Sequence, residues 1–499
     1  MTTDTNNDQS PTAALAAPVA QTARIQSIDI MRGVALLGIL VMNVQAFVMP
    51  FAAYMNPNAY GSLEGRHYWV WYFSHLFFDM KFMSIFSMLF GAGVILLTTR
   101  LEQTGRPPAR IHYRRTFFLL LIGLVHCYIL WTGDILVPYA VCAAVVYLFR
   151  RRRPLTLIGI GVVFIAVASG MNALDGINLK NIQNLASTAQ TSQVDNADSA
   201  AIEQHGDEPI PEDDESVPGT GADSDTSTSD DDGSPVEQSG SPWEMTPEKA
   251  VETLAMRQAF WNPTEEQIQE EVTAMRGSWW TDIAYRAPFN AMMHAFFIPF
   301  FLIWRAGGLM LIGMGLFKLG CFSARWKTST YAAMWLVGWG IGLPFVAYGV
   351  HHAHATDWDM LAHHMVGVQF NYWASIPVAL GWIGMVMFLC RVINPASNWL
   401  MQALSAVGQT ALSNYLLHTI VFTTIANGRG LGYYGQIERS EQAVLVLCMW
   451  IVQLCVSYWW VRHFRFGPAE WLWRSLTYWK RQPMRMMSRQ DGPPSSAHE

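Results

Sequence analysis

Runs of about 20 apolar residues recur along the chain, and they constrain its fold more than any other feature of the sequence. Each run is long enough for a helix to cross the hydrocarbon core of a bilayer. Because lipid offers no hydrogen-bond partners, such runs must satisfy their backbone groups within helices. We therefore predict an all-α fold, a polytopic transmembrane helix bundle of about ten spans, over residues 30–49, 81–99, 116–131, 135–149, 155–171, 296–317, 331–350, 372–392, 406–426 and 443–461.

The composition agrees with a membrane protein. Of 499 residues, 51% are hydrophobic and only 14% are charged, and 21 are tryptophan. The six cysteines lie in or beside apolar runs without paired spacing, so neither a disulfide framework nor a zinc site is predicted. The expected partner is the lipid bilayer, and no nucleic acid is expected.

One stretch departs sharply from this composition. Residues 181–248 contain no Lys or Arg, and 15 Asp and Glu fall between Asp195 and Glu237. Such a segment cannot bury a core, so we predict a disordered acidic insert. The predicted divisions are a disordered tail (1–23), a membrane region of five spans (24–172), the extracytoplasmic insert (173–245), short interfacial helices (246–288), a second membrane region of five spans (289–462), an interfacial cytoplasmic helix (463–482) and a disordered tail (483–499).

Lys and Arg are distributed unevenly among the loops. They concentrate after spans two, four and six and after the last span, whereas the intervening loops contain few. Since cytoplasmic loops of membrane proteins are enriched in these residues, we expect both termini in the cytoplasm. The insert would then lie outside.

The first span carries polar residues that lipid alone would not select. Asp29 and Arg32 are three residues apart and share one helix face. Asn43 lies about three turns further on, on nearly the same face. The two charged residues could instead cap and anchor the start of the helix. Asn43 requires partners from other helices, which in membranes often marks a site or a pathway.

Further polar residues fall in the predicted outer half of the membrane. His126 and Asp134 flank a tight turn between spans three and four, and Asp79 and Lys81 precede span two. Asp134 could serve only as a helix N-cap, and His126 could be a hydrogen-bonded histidine of the bundle. The convergence of these groups with Asn43 favours a polar cavity in which Asn43, His126 and Asp134 meet.

The second half of the chain adds three intramembrane candidates. Arg305 lies within span six, and a buried arginine in a membrane is a candidate site residue. Asn414 and His418 are four apart in span nine and share a face. The loop from His351 to His364 contains five histidines, but no spacing matches a defined zinc motif, so no metal site is predicted.

Several motifs resemble those of a known family. The pattern S-x-D-x-x-R-G-x-A at Ser27 to Ala35, followed by Asn43, resembles the start of the YeiB-like bacterial membrane proteins, whose C-terminal part is domain of unknown function 418. Four later stretches fit the same family, namely KFMSIFSMLFGAG from Lys81, GLVHCYILWTGDILVPYA from Gly123, GQTALSNYLLH from Gly408 and FGPAEWLWRSLTY from Phe466. This resemblance implies a multi-pass protein of the bacterial cytoplasmic membrane.

A more distant resemblance concerns activity. The first helix is similar to that of the membrane acyltransferases that include heparan-alpha-glucosaminide N-acetyltransferase, which have an Asp, an Arg-Gly and a later Asn at similar spacing. In those enzymes the catalytic histidine lies eleven residues after the Asn, whereas Tyr54 stands at that position here. The catalytic assignment of that family therefore does not transfer to this chain.

The resulting hypothesis is an acyltransferase that uses cytoplasmic acyl-CoA as co-substrate, with no bound cofactor, and an extracytoplasmic acceptor. Arg32, Arg114 or Arg115 would bind the phosphates of acyl-CoA. His126, assisted by Asp134, would be the general base and Asn43 would donate to the developing oxyanion. A transporter lined by the same residues, or a membrane scaffold, remains an alternative.

Overall fold

The described part of the chain is helical. The computed structural model describes residues 25–205 and 245–485, except for the side chains of residues 190, 192–205, 300 and 301. Within these ranges an isolated β-bridge joins Phe464 to Arg485 and no strand occurs. The α-helices are α1 (Gln26–Val48), α2 (Phe51–Met55), α3 (Gly65–Phe77), α4 (Lys81–Gln103), α5 (Pro108–Val125), α6 (Leu136–Val146), α7 (Pro154–His205), α8 (Pro247–Trp261), α9 (Glu265–Arg276), α10 (Trp279–Met292), α11 (Ile303–Lys318), α12 (Thr328–Ala355), α13 (Met360–Ala362), α14 (Val368–Val392), α15 (Trp399–Gln409), α16 (Ala411–Ala426), α17 (Arg439–His463) and α18 (Pro468–Tyr478).

The helices confirm a polytopic all-α bundle. Among the described residues, seven helical segments are long and apolar enough to cross a membrane. An eighth candidate is the pair Trp279–Pro299 and Ile303–Lys318, which is bent by 54°. Leu136–Phe149 and Ala411–Ala426 are shorter apolar helices. The ten predicted spans fall one each on these segments, so the number of spans depends on how the bent pair and the short helices are counted.

Helix α7 corrects the predicted start of the acidic insert. The insert was predicted to begin at residue 173, but α7 continues from Pro154 to His205. Leu179, Ile182 and Ala186 are buried at helical spacing, and this apolar periodicity supports a helix where the composition suggested disorder. Residues 206–244 lie outside the described part, as do 1–24 and 486–499, so the predicted disorder there stays a prediction.

The chain divides into two compact units. One contains residues 1–176 and 259–499, and the other contains residues 177–258. In the smaller unit, Ile182 and Ala186 of α7 pack with Ala250 of α8. All of the polar clusters described below lie in the larger unit.

Helix α1 lies at the centre of the larger unit. It contacts α4, α14, α15, α16 and α17. Its approach to α15 is close enough to require glycine on both helices, because a Cβ atom at Gly33 would lie 2.0 Å from the Leu404 carbonyl oxygen and one at Gly408 would lie 1.9 Å from that of Asp29. Gly33, the glycine of the Arg-Gly pair in the first span, therefore has a packing role.

Helices α15 and α16 are separated at Thr410, and a distant carboxylate stabilises the start of α16. Glu470 of α18 accepts hydrogen bonds from the backbone N–H groups of Leu412 (2.6 Å) and Ser413 (3.2 Å) at the start of α16. A negative charge at a helix N-terminus satisfies its free N–H groups and complements the helix dipole. Burial raises the pKa of Glu470 above its ordinary value, although these hydrogen bonds oppose the shift.

Candidate functional site

A π-helical turn brings His126 and Asp134 together. Helix α5 continues into the π-helix His126–Leu130, and the chain then reverses through residues 131–134. His126 Nδ1 lies 2.8 Å from Asp134 Oδ1, and both side chains are only 1% exposed. Asp134 Oδ2 also accepts a hydrogen bond of 2.7 Å from the Val137 N–H near the start of α6. Asp134 thus bonds to the start of α6, which the helix-cap interpretation predicted. It also contacts His126, which the polar-cavity interpretation predicted.

The second ring nitrogen of His126 contacts a residue that sequence analysis did not select. His126 Nε2 lies 2.8 Å from the hydroxyl oxygen of Thr419 on α16. Because an ionised carboxylate only accepts hydrogen bonds, Asp134 favours the tautomer with the proton on Nδ1. Nε2 of a neutral His126 is then an acceptor, and Thr419 donates to it. We call His126, Asp134 and Thr419 the His126 cluster.

Asn43 is not a hydrogen-bond partner of this cluster within the described residues. Both ring nitrogens of His126 are occupied by Asp134 and Thr419. Helix α1 reaches the turn about one helical turn beyond Asn43, where Trp131 Nε1 donates to the Ala46 carbonyl at 3.2 Å and the Trp131 ring stacks on Phe47. Asn43 itself is half-buried.

A second polar group lies next to the His126 cluster. On α10, Asp282, Arg286 and Asn290 follow one another at intervals of four residues, so they share a face. Arg286 Nε donates to Asp282 Oδ1, and Asn427 Nδ2 donates to Asp282 Oδ2 at 2.8 Å. Arg429 lies 3.6 Å from Asp282 Oδ2. We call Asp282, Arg286, Asn290, Asn427 and Arg429 the Arg286 cluster.

Direct contacts join the Arg286 cluster to the π-helical turn. Asn290 Nδ2 donates to the carbonyl of Cys127 at 3.2 Å, and Cys127 follows His126 in the chain. Arg429 donates to the carbonyl of Leu130 at 3.2 Å. Partial burial lowers the pKa of Arg429 from its ordinary value, and Asp282 opposes this shift. The equal spacing of Asp282, Arg286 and Asn290 is the sequence signal that could have identified this cluster.

Asn414 and His418, which were predicted to share a face, belong to a separate network. His418 Nε2 lies 2.9 Å from Gln453 Oε1, and Gln453 Nε2 donates to Asn414 Oδ1 at 3.2 Å. Asn414 Nδ2 also donates to Ser457 at 3.0 Å. These contacts join α16 to α17 by buried hydrogen bonds.

Asp79 and Lys81 form a third network. Lys81 Nζ donates to Asn371 Oδ1 at 2.6 Å and to the His75 carbonyl at 2.7 Å, and Asn371 Nδ2 donates to Asp79 Oδ2 at 2.7 Å. His75 Nδ1 lies 3.1 Å from the same carboxylate oxygen. We call His75, Asp79, Lys81 and Asn371 the Lys81 cluster. It forms a closed ring of hydrogen bonds.

Arg305 is buried beside the Lys81 cluster and has partners of its own. Its Nη1 donates to the Tyr372 carbonyl at 3.1 Å, and Nη2 donates to the Ser375 hydroxyl at 2.7 Å. The guanidinium also lies 4.1 Å from the centroid of the Tyr372 ring. Most of its capacity is therefore used to join α11 to α14.

Arginines at the opposite end of α1 and α5 form a basic group. Arg32 Nη1 lies 3.3 Å from Asp29 Oδ1, and the Arg32 side chain is 30% exposed. The Arg115 guanidinium lies 4.0 Å from the centroid of the Trp473 ring. Arg32 and Arg474 are both close enough to act electrostatically on Arg115. The structure thus brings Arg32 and Arg115 into one basic region and adds Arg474, which sequence analysis did not select.

Arg114 has a different electrostatic environment from Arg115. Arg110 and the phenol of Tyr478 act on it, whereas Arg32 and Arg474 act on Arg115.

No candidate metal site occurs in the described part of the chain. Among residues 25–205 and 245–485 there is no group of three or more His, Cys, Asp or Glu side chains arranged to hold a metal ion, and this range includes the loop from His351 to His364.

The His126 cluster is closed in this conformation. The side chains of His126 and Asp134 are each 1% exposed and Thr419 is fully buried, so solvent does not reach the cluster. Two of the cavities in the described structure, of about 290 Å³ each, lie elsewhere: one is lined by Tyr68, Tyr72 and His351 among others, and the other mainly by apolar residues of α1, α3 and α17. A substrate could reach Nε2 only if the surrounding helices moved.

Comparisons with known proteins show what the chain is similar to. The model of "Protein of unknown function (DUF418)" matches residues 316–480. The "Uncharacterized protein YeiB" of Escherichia coli is 28% identical over 457 residues, which cover 90% of this chain and 95% of that protein. The chain is thus similar to YeiB over most of its length, and its C-terminal part matches DUF418. The "Uncharacterized protein YxaH" of Bacillus subtilis is 26% identical over 483 residues, 94% of this chain and 97% of that protein.

The remaining comparisons add less. An "Uncharacterized 39.9 kDa protein in amylase 3'region" of Bacillus acidopullulyticus is 26% identical over 129 residues, 25% of this chain and 36% of that protein. No solved structure matches this chain. The first two alignments cover 90% and 94% of this chain, so the similarity extends well beyond residues 316–480, in keeping with a bacterial membrane protein.

Proposed function

We propose that the protein is an integral-membrane acyltransferase that moves an acyl group from cytoplasmic acyl-CoA to an extracytoplasmic hydroxyl or amine. The observation that carries this proposal is the line of hydrogen bonds from Asp134 through His126 to Thr419. A buried carboxylate that orients one imidazole nitrogen leaves the other as a base, which is the arrangement general-base catalysis requires.

The reaction assigns each group a role. The acceptor O–H or N–H loses its proton to His126 Nε2, either directly or through the Thr419 hydroxyl, as its oxygen or nitrogen attacks the thioester carbonyl. Asn43, whose side chain makes no hydrogen bond to other described residues, donates to the oxyanion. When the tetrahedral intermediate collapses, the carbon–sulfur bond breaks and His126 returns the proton to the departing thiolate. The products are the acylated acceptor and free CoA.

The basic region supplies the proposed binding site for acyl-CoA. Arg32 and Arg115, joined by Arg474, concentrate positive charge where phosphates would enter, and planar guanidinium groups can bond two phosphate oxygens at once. We assign Arg114, at the edge of this region, as a further contact for the phosphates of acyl-CoA. The acyl chain would then extend along α1 toward His126.

Calorimetry with purified protein tests this proposal. Acetyl-CoA and longer acyl-CoAs should bind at micromolar concentrations, and Arg32→Ala should weaken binding. His126→Gln should reduce turnover by about 10²- to 10⁴-fold, the usual contribution of a general base, with binding nearly unchanged. His112→Gln is the matched control, since His112 is a buried histidine of α5 whose Nε2 bonds to the Ala143 carbonyl and whose ring stacks on Tyr147, away from the His126 cluster, and its turnover should stay normal. Absence of acyl-CoA binding to the wild-type protein would refute the proposal.

The proposal also requires a defined orientation, with both termini in the cytoplasm. The asymmetry of Lys and Arg among the loops supports this orientation. Alkaline phosphatase fused at Ser229 should be active, and the same enzyme fused at Ser488 should be inactive; both positions lie outside the described residues. The reverse pattern would place the basic region outside, where no acyl-CoA is present.

A transporter is the second candidate, and one interrupted span favours it. The pair Trp279–Pro299 and Ile303–Lys318 is bent by 54°. Transporters commonly build their sites from such broken helices. If this function holds, reconstituted protein should move a solute across vesicles while acyl-CoA is neither bound nor consumed.

A further inference from the structure

Arg286 is a buried cation, and only part of its guanidinium group has a hydrogen-bond partner in the described structure. Its side chain is 7% exposed, and only Nε has a partner, the Asp282 carboxylate. Nη1 and Nη2 are buried and have no hydrogen-bond partner in the described structure. An unpaired buried donor costs about 1–3 kcal/mol, and more when it is charged. Two such donors on one guanidinium therefore require an explanation.

The neighbouring side-chain amides of Asn290 and Asn427 lack donors, where Arg286 lacks acceptors. Asn290 is 1% exposed and Asn427 is 2% exposed. Each donates through Nδ2, to Cys127 and Asp282 respectively, and each has an Oδ1 atom without a donor. The Arg286 cluster thus presents two unpaired donors on the cation and two unpaired acceptors on the amides. A ligand that satisfies them must combine an acceptor-rich anionic group with hydroxyl or amino donors.

The charges of the cluster also favour an anion. It contains two cations, Arg286 and Arg429, and one carboxylate, Asp282, which contacts both. Asp134, the other carboxylate near Cys127, is already paired with His126 and the Val137 N–H. One added negative charge would neutralise the cluster. The fork of Arg286 matches the geometry of a phosphate or carboxylate, which can accept both Nη groups at once.

The helix that carries Arg286 contains a proline and leads into a π-helical segment, two features that weaken its backbone hydrogen bonding. Pro288 lies within α10, which continues into the π-helix Met293–Leu302 with Pro299 inside it. Proline removes a backbone hydrogen bond, and π-helical segments are frequent at functional sites. Movement of α10 would expose the Nη groups without breaking the Asp282 contact, since both residues lie on the same helix.

We propose that the Arg286 cluster binds the phosphate or carboxylate of a small molecule that also bears hydroxyl or amino groups. The contact between Asn290 and the Cys127 carbonyl puts this molecule next to His126. If the proposed acyltransferase function holds, on which this last assignment rests, the bound molecule is the acyl acceptor, with its hydroxyl or amine directed at Nε2. Anion binding itself does not depend on that function.

The test uses the full chain in detergent and two matched probes. Glycerol 3-phosphate carries the phosphate and hydroxyl groups, and glycerol lacks only the phosphate. Calorimetry should detect binding of the first and not of the second. Arg286→Met should weaken binding by at least about tenfold, and Arg286→Lys, which keeps the charge and loses the fork, should be intermediate. Arg391→Met, the control, removes a cation whose contact is the Ala324 carbonyl and should bind normally.

Lipid headgroups provide the same chemistry from another source, so nanodiscs of phosphatidylglycerol and of phosphatidylcholine form a further arm. If the anionic lipid is the ligand, phosphatidylglycerol should raise the melting temperature of the wild-type protein and not that of Arg286→Met. Binding that survives Arg286→Met, or wild-type protein that binds neither probe nor lipid because water alone fills the cluster, would overturn the proposal. No acyl-CoA is present in these measurements, so their outcome is separate from that of the acyltransferase test.

Discussion

The Lys81 cluster and the Arg286 cluster are both buried, both charged and both built from residues distant in the sequence, but they differ in completeness. In the Lys81 cluster each polar side chain has a partner, and the hydrogen bonds close into a ring. In the Arg286 cluster two guanidinium nitrogens and two amide oxygens have none within the described residues. A closed network stabilises the fold, whereas an open one retains capacity for a ligand.

The largest expected effect is on the closed network. Lys81→Met should lower the free energy of unfolding by about 3–5 kcal/mol, because it leaves Asn371 Oδ1 and the His75 carbonyl without their donor and removes the cation that stabilises the buried Asp79 carboxylate. Thermal unfolding in detergent measures the change. The exposed Lys180→Met is the control and should stay within about 0.5 kcal/mol of wild type. A small effect of Lys81→Met would mean that the closed ring contributes little to stability.

A smaller loss is expected for Asp134→Asn. The amide oxygen can still accept from His126, but the NH₂ group then faces the Val137 N–H, so two donors oppose each other at a cost of about 1–3 kcal/mol. The matched control is Asp359→Asn, because Asp359 caps an exposed turn through one oxygen that Asn also provides. Equal effects of the two substitutions on the melting temperature would argue against a paired role for both Asp134 oxygens.

Arg286→Met should change stability by no more than about 1 kcal/mol, in either direction, in the absence of ligand. The lost contact with Asp282 is opposed by the removal of two unpaired buried donors. Asp282 keeps Asn427 and Arg429 as partners. The same melting experiment measures it, and a loss as large as that of Lys81→Met would show that the Arg286 cluster is also structural.

The smallest expected effect concerns pH. The pKa of Glu470 is raised in the folded protein, so the folded state retains this proton to higher pH than the unfolded chain. The resulting stabilisation is present below the unfolded pKa and is lost as pH rises from there through the higher folded pKa. Between about pH 5 and pH 7, the wild-type melting temperature should therefore fall slightly more than that of Glu470→Gln. Parallel curves for the two proteins would contradict a raised pKa.

The two clusters also mark what sequence can predict. The apolar runs located the membrane helices, and the short helices predicted within residues 246–288 and 463–482 correspond to α8, α9, α10 and α18. These features depend on neighbours within a few residues. The pairing of His126 with Asp134 was accessible for the same reason, since eight residues and one turn separate them.

Contacts between distant segments were not accessible. Lys81 and Asn371 are 290 residues apart, and His126 and Thr419 are 293 residues apart, so no local pattern relates them. The polar face of α10 is a local pattern, but its spacing alone does not indicate that Asn427 and Arg429 pack against Asp282, about 145 residues away in the chain. Asn43 was chosen on its position along α1, but its orientation depends on how α1 packs, which periodicity along a single helix does not determine.

The Glu470 cap has a consequence for biosynthesis. The N–H groups of Leu412 and Ser413 depend on a carboxylate that is translated 57 residues after Ser413. At roughly 5–20 residues per second, α16 waits about 3–11 seconds for its cap. During that interval the N–H groups at the start of α16 lack this partner. We therefore expect α16, and with it the position of Thr419 beside His126, to become fixed only after α18 has been translated.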